Sequence, residues 1–270
     1  MAVTSFKKEL WESAILESFK GVSVAEVITK KPSSVEGKSA TFNTVSLTTG
    51  LQDYSGTVNW EDINTTAIEL AYDKKKYFAF KVDDVDKVQL AGDIMMPLVR
   101  EQAYEIKNAI DKAVFAEAVA GAKSSNVIGE ASSDEKAIST PEDAYNFIVD
   151  LGTKLDENNV SMEGRYVIAK PEFVNMLAKD KRVIDNAQVL ANGVVEGMTI
   201  NGMQIVKTAN CPDKQVIALS NKAIGYGKQI DETEAMRLQN SFADGIRGLV
   251  QFGVKTLQGE GIAVLHYAIA

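Results

Sequence analysis

The chain has 270 residues, enough for a large core in one domain or two lobes. Its formal net charge of −8 disfavours binding to nucleic acid or anionic membranes, since both depend on clustered Lys and Arg side chains. The single cysteine, Cys211, excludes a disulfide within the chain, and with the single histidine, His266, it cannot supply a usual zinc ligand set.

The first predicted element is an amphipathic helix over residues 5–19. Its apolar residues lie largely on one side: Phe6, Leu10, Trp11, Ile15, Leu16 and Phe19. Residues 29–43 are polar and contain Pro32 and Gly37, which predicts an extended arm that leads away from any local core. The helix therefore either docks at a distance or folds back on its own domain, and the sequence leaves both open.

Residues 40–85 have the composition and alternation typical of β-strands. Two runs alternate apolar with polar residues: Ile68, Leu70 and Tyr72, then Phe78, Phe80 and Val82. They predict a long two-stranded excursion, with the basic run at residues 74–76 as a solvated turn. Tyr54 and Trp60 lie in the polar stretch between strands. Exposed aromatic side chains at a loop tip usually mark a contact surface, and the alternative is a Trp that folds under its own loop.

The longest predicted element is a helix from about Pro97 to Ala120. Its apolar residues recur at spacings of three and four: Val99, Ala103, Ile106, Ile110, Ala113 and Val114. Pro97 is tolerated in a first turn, and Gly121 is predicted to form a left-handed C-terminal cap. At about 1.5 Å per residue the helix is about 36 Å long, so it needs a partner along its length.

The second half predicts a mixed α+β structure. Residues 122–140 are small, polar and acidic, which indicates a boundary between lobes. Thr140, Pro141 and Asp143 have the pattern of a helix N-cap, first residue and near capping box. The buried stripe of that helix is predicted to be Phe147, Ile148, Leu151 and Leu155.

Further elements follow in the order strand, helix and paired strands. A strand is predicted from Arg165 to Ala169, and a helix begins at Pro171. Asn201 and Gly202 form the Asn-Gly dipeptide of a tight hairpin. The remaining predicted strands cover residues 216–220, 247–257 and 261–270. They follow no simple repeat.

No group of residues has the spacing of a catalytic, cofactor or metal site. His266 lies in an alternating strand and is predicted to be structural or solvent-facing rather than a general base, and Cys211 before Pro212 is predicted to be inert. Residues 37–39 lack the earlier glycine of a phosphate loop, and residues 225–227 are predicted to be a turn or bulge. We therefore expect no enzyme, no cofactor and no metal. Nothing at the N-terminus resembles a signal peptide and no apolar run spans a bilayer, so we expect a soluble protein made inside the cell.

Several sequences in this order resemble the major capsid proteins of tailed bacteriophages. They are YFAFKVDDVDKVQ before the long helix, RYVIAKPEFVNMLAKD, the hairpin GVVEGMTINGMQIVKTANCP, and FADGIRGLVQFGVKTLQGEGIAVL. Together with the N-terminal helix and arm they cover nearly the whole chain. The resemblance implies a structural protein that self-assembles into an icosahedral shell enclosing packaged double-stranded DNA.

The resemblance also implies an organisation of the α+β fold. We expect an N-terminal helix and arm (1–40), an extended β-hairpin loop (41–85), a peripheral lobe with the long spine helix (86–139), an axial lobe (140–235) and strands that return to the peripheral lobe (236–270). The arm and loop are expected to lie across neighbouring subunits. Candidate intersubunit contacts are Phe6, Trp11, Tyr54 and Trp60.

The expected partners are other copies of the chain, as pentamers and hexamers, with a separate scaffolding protein and a portal. The DNA is enclosed without sequence-specific binding, no membrane is involved, and the protein belongs to a virion assembled in the bacterial host cytoplasm. Two alternatives stay open: a bacterial nanocompartment shell protein of the encapsulin type, and a soluble α+β enzyme with a polar pocket.

Overall fold

The computed structural model describes residues 24–32, 34–36, 39–46, 64–83, 95–184, 199–238 and 242–269. The helices in these ranges are α1 (Val24–Ile28), α2 (Met95–Gly121), α3 (Pro141–Glu157), α4 (Pro171–Leu177) and α5 (Lys181–Ile184). The strands are β1 (Ser34–Glu36), β2 (Ser39–Ser46), β3 (Asn64–Ala71), β4 (Lys74–Asp83), β5 (Val127–Ile128), β6 (Lys136–Ile138), β7 (Arg165–Ala169), β8 (Thr199–Ile200), β9 (Met203–Lys207), β10 (Gln215–Ser220), β11 (Ile224–Arg237), β12 (Ala243–Thr256) and β13 (Ile262–Ile269).

The described strands form three sheets. One has the order β1-β2-β3, and a second has the order β11-β12-β4. The third has seven strands in the order β5-β13-β10-β7-β9-β8, with β6 also beside β13. The two smaller sheets are antiparallel. The large sheet is mixed, because β7 is parallel to β9 and β13 is parallel to β5 and β6. The fold is therefore α+β, and its described strands form separate sheets.

The long helix α2 forms the centre of the first hydrophobic core. Its buried residues include Ile106, Ile110, Val114, Phe115 and Ala118. They pack with one face of the β11-β12-β4 sheet, with the residues Phe78, Ile246, Val250, Phe252 and Val254. One face of the large sheet contributes to the same cluster through Ile168, Ile217, Leu219, Ile262 and Val264. From Ile106 to Ala118 the helix packs against two sheets, which supply the partners that its apolar stripe predicts.

The opposite face of the large sheet forms a second core with the shorter helices. Alternate residues of β10 and β13 point to this side because side chains in a strand alternate between faces. The strand residues of this core include Val167, Val216, Ala218, Ala263, Leu265 and Tyr267. The helix residues include Ile148, Leu151, Leu155, Phe173 and Leu177. The large sheet is therefore covered on both faces by helices.

The predicted long helix is confirmed, but Gly121 has a different role from the one expected. The helix extends from Met95 to Gly121, and Gly121 is its last residue rather than a left-handed cap. A Cβ atom on Gly121 would lie 2.0 Å from Oγ1 of Thr256. Thr256 is held there because its N–H donates to Glu117 Oε1 at 3.1 Å. The glycine permits the helix end to approach the end of β12 closely.

The predicted capping box of α3 is confirmed. The Asp143 N–H donates to Thr140 Oγ1 at 3.2 Å, and the Thr140 N–H donates to Asp143 Oδ2 at 2.8 Å. The Asn201-Gly202 hairpin is also confirmed, with φ values of 51° and 74° that match a tight turn between β8 and β9. Both features are local, so neighbouring residues are enough to specify them.

Replacing Thr140 by alanine tests this cap. We expect Thr140→Ala to lower the free energy of unfolding of the unassembled subunit by about 1 kcal/mol, since an N-cap hydrogen bond is lost. Chemical denaturation measures it. Ser139→Ala is the control, because Ser139 contributes only its backbone N–H to Asp143, at 3.1 Å. An equal loss from both substitutions would contradict a specific role for the Thr140 hydroxyl.

Residues 24–30 are attached to the first core. The Ala25 N–H donates to the buried Asp111 carboxylate of α2 at 3.0 Å. Lys30 pairs with β11, donating its N–H to Ile224 O at 2.8 Å and accepting from the Tyr226 N–H at 3.1 Å. The segment predicted to lead away from any local core therefore begins on the core, and its later part forms β1 and β2. The predicted helix over residues 5–19 lies outside the described residues.

Two other local predictions were wrong. The basic run at residues 74–76 is the start of β4, which pairs with β12, and lysines on such an edge strand oppose unwanted pairing. Only Tyr72 and Asp73 separate β3 from β4. Residues 225–227 lie in the regular part of β11, and the register shift of that strand comes later, between Ile230 and Glu232. Residues 122–140 include β5 and β6, which pair with β13, and the lobe boundary expected there stays a prediction.

Candidate functional site

The structure leaves the four predicted contact residues untested. Phe6, Trp11, Tyr54 and Trp60 all lie outside the described residues. The described residues contain a different candidate, the face of the β11-β12-β4 sheet that points away from α2. One half of this face is covered and the other half is open.

The covered half lies under the β1-β2-β3 sheet. A Cβ atom on Gly225 would lie 2.7 Å from the Phe42 ring, and one on Gly227 would lie 2.7 Å from the Tyr72 hydroxyl oxygen. A Cβ on Gly253 would lie only 2.3 Å from the Ala71 carbonyl oxygen. These glycines explain why residues 225–227 looked like a turn: they are needed for the close approach of a second sheet.

The open half is defined by eight outward-facing residues, which we call the open face. They are Tyr77, Ala79 and Lys81 of β4, Gly245, Arg247 and Leu249 of β12, and Glu234 and Met236 of β11. Tyr77 is 82% exposed and Met236 is 38% exposed, while Leu249 is half-buried. Phe78, Ile246 and Val250, their neighbours along the strands, are buried against α2. The sheet therefore has apolar side chains on both faces, and among the described residues only the inner face is fully covered.

One ion pair crosses the centre of the open face. Arg247 donates from Nε and from a terminal guanidinium nitrogen to Glu234 Oε2, at 2.9 and 2.5 Å. Its side chain is 61% exposed, so water screens the pair and its contribution to folding is small. Rows of apolar atoms around an oriented charge pair suit protein recognition, because the apolar atoms supply affinity and the charges fix the register.

A shallow groove lies at the far end of the open face. Its volume is about 290 Å³, and it is lined by Ala79, Lys81, Met236, Leu238, Gly245 and Arg247. Leu238 directly follows β11, and its methyl groups lie over Gly245. The signal for this site in the sequence was the run KKKYFAFKV, in which Tyr77 and Ala79 alternate with the buried Phe78 and the partly buried Phe80. When an antiparallel strand has apolar residues on both faces, we expect both faces to be covered, either within the subunit or by another subunit.

Cys211 and His266, the two residues considered for catalysis, both lie in the interior of the protein. Cys211 is buried, which raises the pKa of its thiol to about 12. His266 is 9% exposed, and its Nδ1 lies 3.4 Å from Gln215 Nε2 within the large sheet. Across the described ranges, no three His, Cys, Asp or Glu residues come together in a way that could hold a metal ion. None of the described helices has the length and apolar character needed to cross a bilayer.

Comparisons with solved structures give the same fold. The chain is 28% identical to a chain of Mycobacterium phage Che8, with a TM-score of 0.68 and 85% of each chain covered. It is 18% identical to the capsid structure of cyanophage P-SCSP1u, with a TM-score of 0.73, covering 92% of this chain and 89% of that one. It is 16% identical to a virus-like particle from Pyrococcus furiosus, with a TM-score of 0.58, covering 96% and 99%. The last two similarities concern the fold alone.

Comparison with protein families gives the more specific result. No curated protein sequence matches the chain. A model of the family described as phage capsid protein matches residues 67–265, about three quarters of its length. The match begins in β3 and ends in β13, so it includes α2, the large sheet and the open face. The chain therefore belongs to the phage capsid protein family and is a structural, shell-forming protein with the fold of tailed-phage major capsid proteins.

Proposed function

We propose that the protein self-assembles, through pentamers and hexamers, into an icosahedral shell that encloses packaged double-stranded DNA. The observation that supports this is the open face: a folded subunit of a capsid family keeps apolar side chains uncovered on a sheet of long strands. Repeated contacts between identical subunits would bury these side chains, and closed symmetry makes every such contact equivalent or nearly so. Assembly would take place in the bacterial host cytoplasm.

The expected lobes and contact residues are part of this proposal. Residues 1–40 would be the arm, 41–85 the extended loop, 86–139 and 236–270 the peripheral lobe, and 140–235 the axial lobe. Phe6 and Trp11 of the arm and Tyr54 and Trp60 of the loop would contact neighbouring subunits. Large aromatic side chains are the usual anchors of such interfaces.

The charge of the chain fits a container for DNA. A net charge of −8 prevents strong adhesion to the packaged phosphates, so DNA would be enclosed without sequence-specific binding. A scaffolding protein would direct the curvature of the shell, and a portal would admit the DNA. We propose no catalytic activity, cofactor or membrane for this protein. The burial of Cys211 argues only against a nucleophilic role for its thiol.

Electron microscopy with light scattering tests the proposal. The chain should be expressed alone and then together with the neighbouring genes of its locus. We expect closed shells or curved sheets of many subunits. A uniform small oligomer under both conditions would overturn the proposal and favour a soluble enzyme. Shells that hold a protein cargo instead of DNA would favour the nanocompartment alternative, for which the similarity to a virus-like particle shows only a shared fold.

Replacing Trp60 by alanine tests the proposed loop contact. We expect Trp60→Ala to leave the thermal unfolding of the unassembled subunit cooperative and to reduce assembly, because the ring would be buried only between subunits. Unfolding is followed by circular dichroism, and assembly by light scattering. Loss of cooperative unfolding in the unassembled variant would count against this, since it would place Trp60 in the subunit's own core.

A further inference from the structure

The turn between β8 and β9 presents an asparagine followed by glycine to solvent. Asn201 and Gly202 are both exposed, and their φ values of 51° and 74° are positive. Asn192 is the other asparagine of the sequence that precedes a glycine, and it lies outside the described residues. The described turn therefore places a side-chain amide next to a backbone nitrogen that has no side chain beside it.

This pair has the atoms needed for a spontaneous reaction with water. The backbone nitrogen of Gly202 attacks Cγ of Asn201 and loses its proton, the Cγ–Nδ2 bond breaks, and ammonia leaves. The product is a cyclic imide, a succinimide. Water then adds to one of its two carbonyl carbons. One ring opening gives aspartate, and the other gives isoaspartate, in which the main chain passes through the former side-chain carbon. The reaction requires no oxidant, metal ion or enzyme.

The surroundings of Gly202 leave its nitrogen accessible. A side chain on the residue after asparagine crowds the attacking nitrogen, and glycine has none. A Cβ atom built on Gly202 would have no neighbour within 4 Å outside the adjacent residues of the turn. Within the described ranges, the Gly202 N–H also has no backbone acceptor. The nitrogen is therefore neither shielded by another element nor held in a backbone hydrogen bond.

The hairpin can open locally to reach the reactive conformation. Ring closure requires the Asn201 backbone to rotate out of the turn and its amide to leave α3, where it lies over Gly152. The strand β8 has only two residues, which pair with Gln204 and Met203 of β9 at the end of the large sheet. Short elements at the end of a sheet open at a small fraction of the cost of global unfolding.

Other described asparagines lack this combination of features. Asn159 is exposed and has a φ of 54°, but the branched side chain of Val160 follows it. Asn126 is buried, and its amide donates to Glu260 O at 3.0 Å and to Ile262 O at 3.1 Å. Asn159 therefore matches Asn201 in exposure and in the sign of φ, and differs in the residue that follows.

We propose that Asn201 is a site of spontaneous deamidation, with aspartate and isoaspartate as its products. The inference goes beyond the proposed function and does not depend on it. Isoaspartate adds one carbon atom to the main chain of a two-residue turn, which can then no longer have the tight-hairpin geometry. Ile200 and Met203 flank the turn and are buried in the second core. The isoaspartyl form therefore loosens this end of the large sheet.

Mass spectrometry of the full chain after storage at mildly alkaline pH tests the inference. The gain in mass when an amide becomes a carboxylate is measured on tryptic peptides. Asn192 and Asn201 lie in one such peptide, because no Lys or Arg separates them, so fragment spectra assign the position. We expect the modified fraction at Asn201 to exceed that at Asn159 about tenfold, since glycine leaves the nitrogen unhindered. Equal fractions at the two positions would overturn the inference.

Gly202→Asp is the matched variant. Aspartate tolerates positive φ, so the turn is retained while the new side chain crowds the nitrogen. We expect the modified fraction at Asn201 to fall about tenfold, and an unchanged fraction would show that the glycine is not the cause. If this variant folds poorly, the comparison of Asn201 with Asn159 in the wild type decides alone.

Enzymatic methylation of isoaspartate distinguishes the two products. We expect isoaspartate at Asn201 in the stored protein, and its absence would contradict ring opening by water. Subunits that contain isoaspartate should unfold at a lower urea concentration than Asn201→Asp, which has the same charge but no additional main-chain atom. Unfolding at the same concentration would overturn the expected loosening of the hairpin.

Discussion

A Tyr77→Lys subunit is expected to fold normally and to assemble poorly. Tyr77 is 82% exposed in the single chain, so its replacement should change the free energy of unfolding by no more than about 0.5 kcal/mol. If the open face is an interface, loss of a central aromatic anchor costs about 2 kcal/mol for each contact. That corresponds to about a 30-fold weaker contact. Light scattering as a function of protein concentration measures the assembly threshold.

Two variants serve as controls for Tyr77→Lys. Tyr77→Phe keeps the ring and should assemble like the wild type, because packing rather than the hydroxyl supplies most of the affinity. Tyr104→Lys makes the same chemical change at another exposed tyrosine, 61% exposed on α2 and away from the open face. Equal impairment by Tyr104→Lys would indicate a general effect of surface charge. Normal assembly of Tyr77→Lys would exclude the open face as a contact.

A Gly253→Ala subunit is expected to lose stability before any assembly takes place. The new Cβ would lie 2.3 Å from the Ala71 carbonyl oxygen, a backbone atom that cannot rotate away. Either β3 separates from β12 or the strand backbone shifts, and such overpacking costs about 1 to 3 kcal/mol. Urea denaturation of the unassembled subunit measures the loss. From lowest to highest free energy of unfolding, the expected order is Gly253→Val, Gly253→Ala and the wild type.

Lys255→Ala provides the matched control for Gly253→Ala. Lys255 is the next outward-facing residue of β12 and is exposed, so its truncation should change the stability by no more than about 0.5 kcal/mol. An unfolding free energy of Gly253→Ala equal to that of Lys255→Ala would contradict the close packing of the two sheets. In that case the close approach of the β1-β2-β3 sheet would not explain why β11 has glycine at these positions.

Prediction from sequence succeeded where the determining interactions are short in range. The apolar spacing in residues 97–120 predicted α2 to within about two residues at each end, because a helix buries a stripe whose period is set by its own geometry. Thr140 and Asp143 are three residues apart, and Asn201 and Gly202 are adjacent. Their hydrogen bonds and φ angles need no partner elsewhere in the chain.

Prediction failed at β4 because pairing partners are chosen over long distances. The residues from 65 to 82 looked like part of one excursion, but β3 pairs with β2 and β4 belongs to a different sheet. β4 pairs with β12, with Phe78 opposite Gly248, which is 170 residues later in the chain. Period-two alternation identifies a strand and its two faces, and it contains no information on which strand lies beside it.

At the candidate site, too, the sequence predicted some features and missed others. Sequence reasoning selected Phe6 and Trp11 on the apolar side of the predicted N-terminal helix, and Tyr54 and Trp60 as aromatic residues in polar surroundings. All four remain predictions. Tyr77 was missed, because a strand residue next to buried Phe78 looks like an ordinary core residue. Whether such a side chain is covered depends on how far the β1-β2-β3 sheet extends over its neighbour.

The sequence by itself determined the class of the fold, the position of the long helix, the local caps and turns, and the similarity to capsid proteins. These follow from periodicity, from neighbouring residues and from the order of motifs along the chain. Only the tertiary structure decided which strands meet, which face of β12 is covered, and where apolar side chains remain open for another subunit. Burial is a property of surfaces brought together from distant parts of the chain, so it is defined only once the chain has folded.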